Sequence, residues 1–144
     1  MRQGISPGAF DLLGPAAIVE IAEGALGGER LDGTVVAYPS YVNRVYGLRT
    51  EEGRELIAKF YRPGRWERAA VLEEHRFVLD CAEDEIPVVA PVELSGGGTL
   101  GEALLEDESG GEGPSFLFAL FPKMGGRNFD AEAEEDWLRL GSLL

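Results

Sequence analysis

The stretch L-I-A-K-F-Y, residues 56–61, places a lysine in the middle of what otherwise reads as a buried β-strand. Alternate residues of a strand share a face, so Leu56, Ala58 and Phe60 point one way while Ile57, Lys59 and Tyr61 point the other. Lys59 therefore projects between two large apolar neighbours. The chain has two lysines against eleven arginines, so Lys59 stands where this protein otherwise uses a guanidinium. An ammonium is a compact point charge that sits well against a phosphate, whereas a guanidinium is a planar fork. The alternative is a lysine snorkelling to the rim of a surface strand.

After the breaker R-P-G-R (62–65), a helical pattern runs from Trp66 to about Glu83 without an internal Gly or Pro. At 3.6 residues per turn, Trp66, Ala70, Val71, Phe77, Val78, Cys81 and Ala82 fall on one broad apolar arc with Glu74 in its middle, while Glu73, Arg76, Asp80 and Glu83 fall on the polar side. A carboxylate on a core-facing stripe is expensive unless paired, and the preceding strand offers Lys59. A strand lysine held by a helix glutamate is the arrangement that kinase-type sites use to fix the α- and β-phosphates of ATP. A structural ion pair without a ligand is the other reading.

With 144 residues, 44% of them hydrophobic, the chain holds one domain's worth of core but not two full lobes. A net charge of −13 argues against nucleic acid or an anionic membrane surface as partner. One cysteine, Cys81, excludes an intrachain disulfide framework and reads as a small buried hydrophobe. The opening M-R-Q-G-I-S-P has no apolar signal core, and no run has the length a membrane helix needs, so the cytoplasm is the expected compartment.

In chain order, residues 1–13 read as an extended lead-in, and Pro15 opens an amphipathic helix carried by Ile18, Ile21, Ala22, Ala25 and Leu26 and closed by Gly27-Gly28. Strand signals follow at 31–37 and 44–49, joined by a loop in which Ser40 and Asn43 could cap a phosphate, although a plain hairpin turn fits as well. Beyond the central helix, 88–94 reads as a strand, T-L-G-E-A-L-L (99–105) as a possible hairpin extension, and the tip E-D-E-S-G-G-E-G-P (106–114) as a mobile loop. The apolar run 115–121 predicts a central strand that stops at Pro122, and Phe121 to Met124 then suit either a hinge with backbone groups for an adenine ring or an ordinary loop. Asp130 is expected to cap a last helix with Trp137, Leu140 and Leu144 on one face, Leu143 beside them, and the pattern reads as a helix cut partway.

The segments P-S-Y-V-N-R-V-Y (39–46), A-K-F-Y-R-P-G-R-W (58–66), L-E-E-H-R-F (72–77), P-V-V-A-P-V (87–92) and F-P-K-M-G-G-R (121–127) resemble the stress response kinase A family. This is a family of bacterial serine/threonine kinases, RdoA/YihE-type, within the aminoglycoside-phosphotransferase-like kinases. The similarity runs from about residue 15 to the end, and K-F-Y-R-P-x-R-W is its most specific string. The resemblance implies an α+β fold: a protein-kinase-like N-terminal lobe with a five-stranded antiparallel sheet and one packed helix, preceded by a short N-terminal helix. It implies that residues 1–126 form this ATP-binding lobe with its hinge and that 127–144 begin a helical C-terminal lobe. Carried over residue by residue, it places Ser40 and Asn43 over the phosphates, Lys59 and Glu74 as the phosphate lysine and its partner, and Phe121, Lys123 and Met124 in the hinge.

The polar stretch 96–113 is longer than the family leads one to expect. No segment like H-G-D-x-H-x-x-N occurs, and the only histidine is His75 on the central helix. The aspartates that accept the hydroxyl proton and hold Mg²⁺ are therefore expected in the missing C-terminal lobe. The parent protein is expected to use ATP and Mg²⁺ to phosphorylate Ser/Thr hydroxyls of a protein substrate, and this chain alone to bind ATP weakly and catalyse nothing. A small-molecule phosphotransferase and a non-catalytic binding module are the alternatives.

Overall fold

In the computed structural model, which describes residues 10–126 and 130–142, the lysine strand is β3 (Glu55–Phe60), the middle of a five-stranded sheet. The others are β1 (Leu31–Tyr38), β2 (Arg44–Thr50), β4 (Gly101–Glu106) and β5 (Glu112–Pro122), in the order β1-β2-β3-β5-β4 with every pair antiparallel. Three helices accompany them: α1 (Pro15–Ala25), α2 (Arg68–Glu83) and α3 (Glu134–Gly141). The α+β architecture expected from the sequence is the one observed.

The alternation in β3 divides the molecule into two layers. Leu56, Ala58 and Phe60 are fully buried, and Phe60 stacks on Phe118 at 5.7 Å with Tyr46 edge-on at 6.0 Å. Helix α1 seals this face with Ile18 and Ala22, the i and i+4 positions of its apolar stripe. The large side chains Leu56, Phe60 and Ile18 each gain roughly 1.5–3 kcal/mol on burial, which makes this layer the main source of stability. Pro15 stands at the start of α1, where its missing N–H costs no bond. Gly27 and Gly28, at φ 71° and 92°, close it, with the Gly28 N–H donating to the Glu23 carbonyl at 2.9 Å. The Glu23 carboxylate then accepts the Leu31 N–H at 2.9 Å and fixes where β1 begins.

The opposite face is smaller. Tyr61, Val71, Leu100 and Ala119 form its buried centre, with Leu117 and Phe121 against them. Here α2 differs from expectation. Only Val71 and His75 are buried, while Trp66, Ala70, Phe77 and Glu74 are exposed and Cys81 is half-buried. The sheet contacts one flank of the broad apolar arc, because a helix lying on a flat sheet buries a stripe narrower than that arc. Glu74 therefore stands at the border of the buried stripe and not at the centre of a covered face.

Other expectations are corrected. Residues 88–94 do not form a strand, because Pro87 and Pro91 have no N–H to give a ladder; Val92 alone of this stretch donates to β5, to the Leu120 carbonyl at 2.7 Å. The fourth strand is β4, from the segment read as a hairpin extension. The polar tip is closed around Asp107, whose carboxylate accepts Ser109 N–H at 2.9 Å, Ser109 Oγ at 2.6 Å and Gly111 N–H at 2.7 Å. These bonds hold Asp107 below the usual carboxylate range. Asp130 does not cap α3. The helix starts four residues later, with Asp136 reaching back to the N–H groups of Ala133 at 3.1 Å and Glu132 at 3.3 Å. The readings of residues 1–9, Arg127, Leu143 and Leu144 lie outside the described residues.

Candidate functional site

Strand register brings the site together. Tyr38, Val45, Lys59 and Ala119 are successive cross-strand partners across β1, β2, β3 and β5, and directly opposed residues share a face. The next row along the strands is Val36, Gly47, Ile57 and Phe121. Tyr38, Val45, Ile57 and Phe121 line an open cleft of about 440 Å³ with Val89, Pro122, Lys123 and Met124. A Cβ at Gly47 would lie 2.9 Å from the Tyr38 ring, so the absent side chain is what lets that ring lie over the sheet at the cleft.

Phe121, Lys123 and Met124, expected to form a hinge, thus meet at one apolar cleft. The Lys123 N–H is taken by the Glu55 carbonyl at 3.2 Å, and its Nζ pairs with the Glu55 carboxylate at 3.0 Å. That bond, with the Tyr38 hydroxyl second, raises Lys123 above the usual lysine range. Pro122 has no N–H to offer at the cleft.

Lys59 is half-buried, with Nζ 4.8 Å from the centroid of the Tyr61 ring. It forms no salt bridge with Glu74 in this structure: the two lie on the same side of the sheet, but Glu74 points from the exposed border of α2. Both charges nevertheless act on His75, Glu74 favouring its protonated form and Lys59 opposing it, while burial is the larger effect and lowers its pKa. Burial, and after it Glu74, pushes the Tyr61 hydroxyl up to about 12.

Ser40 and Asn43 lie half-buried in the β1–β2 loop and are not among the residues that line the cleft. Asn43 Oδ1 accepts the Arg62 N–H at 3.3 Å, and Arg62 Nε donates to the Val42 carbonyl at 3.0 Å. The loop is therefore tied to the link between β3 and α2, and the Asn43 amide keeps its NH₂ donors for another partner. Among the described residues, no group of three or more His, Cys, Asp or Glu side chains could hold a metal ion. No helix among them is long and apolar enough to cross a membrane.

A profile of the phosphotransferase enzyme family, APH, matches residues 34–144. The chain belongs to the phosphotransferase enzyme family. Among similar chains, Stress response kinase A of Shigella flexneri is 40% identical over 117 residues, which are 81% of this chain and 32% of that protein. Stress response kinase A of Escherichia coli strain K12 is 39% identical over the same shares, and Serine/threonine protein kinase RdoA of Salmonella typhimurium is 35% identical. The aligned part of this phosphotransferase-family chain is thus about a third of the length of the relatives it matches. Amicoumacin kinase hAmiN, solved in complex with AMP-PNP, Ca²⁺ and Ami, superposes with a TM-score of 0.68 at 20% identity, covering 92% of this chain and 37% of that one. The fold is the kinase-like N-terminal lobe.

Sequence reasoning missed the cleft's walls. Tyr38, Val45 and Val89 reach it only through register and loop path, although Ile57 carried a readable signal in sharing the Lys59 face. It also gave no role to His75, for which a histidine on the helix's inward stripe was the available sign.

Proposed function

We propose that residues 1–126 are the ATP-binding lobe and hinge of a serine/threonine protein kinase, and that residues 127–144 begin its helical second lobe. The carrying observation is the apolar cleft between β2, β3 and the hinge, with Lys59 one row along the same face. The cleft's apolar walls suit a purine, with the backbone of residues 122–126 as the proposed hinge. Bound there, ATP supplies the γ-phosphoryl group. Lys59 holds the α- and β-phosphates, Asn43 and Ser40 offer donors from the loop above, and Glu74 orients the lysine once its side chain swings from the exposed border of α2 toward the sheet, with the helix itself held in place. The names of the aligned relatives, a serine/threonine protein kinase and stress response kinases, support a protein hydroxyl as acceptor and a stress-response setting.

The groups that position the acceptor and hold Mg²⁺ are assigned to the part of the whole protein that this chain does not contain. The test is ATP binding by the chain and by Lys59→Ala, which is expected to bind at least tenfold more weakly, the loss of one charge-assisted contact. Equal affinity of the two removes the reading. Assaying the whole protein with protein hydroxyls beside aminoglycoside, choline and homoserine acceptors separates a protein kinase from a small-molecule phosphotransferase. A non-catalytic binding module is the outcome in which Lys59→Ala leaves the biological effect intact.

A further inference from the structure

Beside Glu74 runs a buried polar chain that the nucleotide cleft does not use. His75 is 2% exposed. Its Nε2 is 3.2 Å from Tyr61 Oη, its Nδ1 is 2.8 Å from Thr99 Oγ1, and its ring meets that of Phe121 edge-on at 6.1 Å. A neutral imidazole has one donor and one acceptor nitrogen, and each hydroxyl can take either role, so the chain is satisfied throughout. A leucine would fill the same space without the desolvation cost of the polar groups. Hydrogen bonds, unlike apolar contacts, are directional, and these two reach different elements: the end of β3 and the turn before β4.

Elsewhere on α2, Val71 is buried, Val78 and Cys81 are half-buried, and the exposed Arg68 reaches the Leu100 carbonyl at 3.5 Å and the Glu102 carboxylate at 3.9 Å. His75 therefore makes the only hydrogen bonds from a buried side chain of α2, in the middle of the helix, and is the strongest single constraint on its rotation. Glu74 is the preceding residue, so the same rotation sets how far its carboxylate stands from Lys59. We propose that His75 is a positioning residue for nucleotide binding: its bonds to Tyr61 and Thr99 and its contact with Phe121 fix α2 so that Glu74 can reach Lys59. The proposal rests on the nucleotide reading of Lys59.

The experiment measures three quantities for each chain: affinity for a fluorescent ATP analogue with Mg²⁺, thermal midpoint, and amide exchange along α2. It compares the parent chain with Tyr61→Phe, His75→Leu, His75→Gln and Lys59→Ala. Tyr61→Phe keeps the ring and removes one bond, so it is expected to bind roughly fivefold more weakly, about the worth of one buried hydrogen bond. Faster exchange at residues 73–77, with β3 and β5 unchanged, is expected alongside. His75→Leu is expected to bind more weakly still, and His75→Gln, which can remake one bond, to recover most of the loss.

A His75→Leu chain that binds like the parent below its thermal midpoint overturns the proposal. So does a series in which affinity follows only the folded fraction and His75→Gln is no better than His75→Leu. Should His75→Leu fail to fold, Tyr61→Phe decides on the same criteria. No binding by the parent chain, or equal binding by Lys59→Ala, removes the nucleotide reading and the positioning role with it. A weak Lys59→Ala beside a parent-like Tyr61→Phe and His75→Gln removes the positioning role alone.

Discussion

At the scale of single residues, this molecule separates a charge that was legible in the sequence from a neutral group that was not. Lys59 was visible because an ammonium between Ile57 and Tyr61 in a strand is costly without a reason. Its position one row from the cleft follows from the register that pairs it with Val45 and Ala119. His75 was not legible as a buried residue, since which flank of α2 meets the sheet depends on packing. Burial lowers its pKa, and Lys59 from β3 adds to this while Glu74 on its own helix opposes it; Tyr61, Thr99 and Phe121, the other groups around it, are neutral near pH 7. The folded protein therefore binds a proton on His75 less readily than the unfolded chain does. Stability is expected to rise with pH through the window at and below the ordinary histidine value of about 6.5. It should flatten above that window. His75→Gln is expected to lose this component, and urea unfolding at pH 5.5 and 7.5 checks it: an unchanged pH slope in the variant counts against the assignment.

At the scale of elements, α2 shows how little an apolar pattern says about what covers it. Val71 is 2% exposed and Phe77 is 69% exposed, although both fall on the same arc of the sequence. Val71→Ala is expected to destabilise by about 1–3 kcal/mol through lost burial and an unfilled cavity. Phe77→Ala should change stability by no more than about 0.5 kcal/mol. Chemical denaturation of the two variants measures the difference, and a larger loss at Phe77 would mean that the outer flank of the helix is covered in solution. The strand signals fared unevenly for a similar reason. β2 and β3 followed their alternation closely, whereas 88–94 had strand composition but Pro91 within it and Pro87 just before it, neither of which can give an N–H to a ladder. Composition sets a preference for extended backbone, and hydrogen-bond donors decide whether it pairs.

At the scale of the whole molecule, the sheet carries a sealed layer under α1 and a partly open one under α2, and the candidate site lies in the open layer. On the proposed reading, binding and turnover are separated, because the sequence has no segment like H-G-D-x-H-x-x-N to position an acceptor. The 144-residue chain is expected to transfer no phosphate from ATP to any acceptor. Radiolabel transfer that disappears in Lys59→Ala would show that it does. The sequence by itself determined the strand that carries Lys59, the α1 stripe with its glycine stop, and the family motifs; each depends on neighbours along the chain or on periods of two and 3.6 residues. Only the tertiary structure decided that β4 and not 88–94 completes the sheet, that Tyr38, Val45 and Val89 wall the cleft, and that His75 and not Glu74 is the buried polar residue of α2. Those outcomes depend on register and on the rotation of a helix against a sheet, and both are set by contacts between residues far apart in the chain.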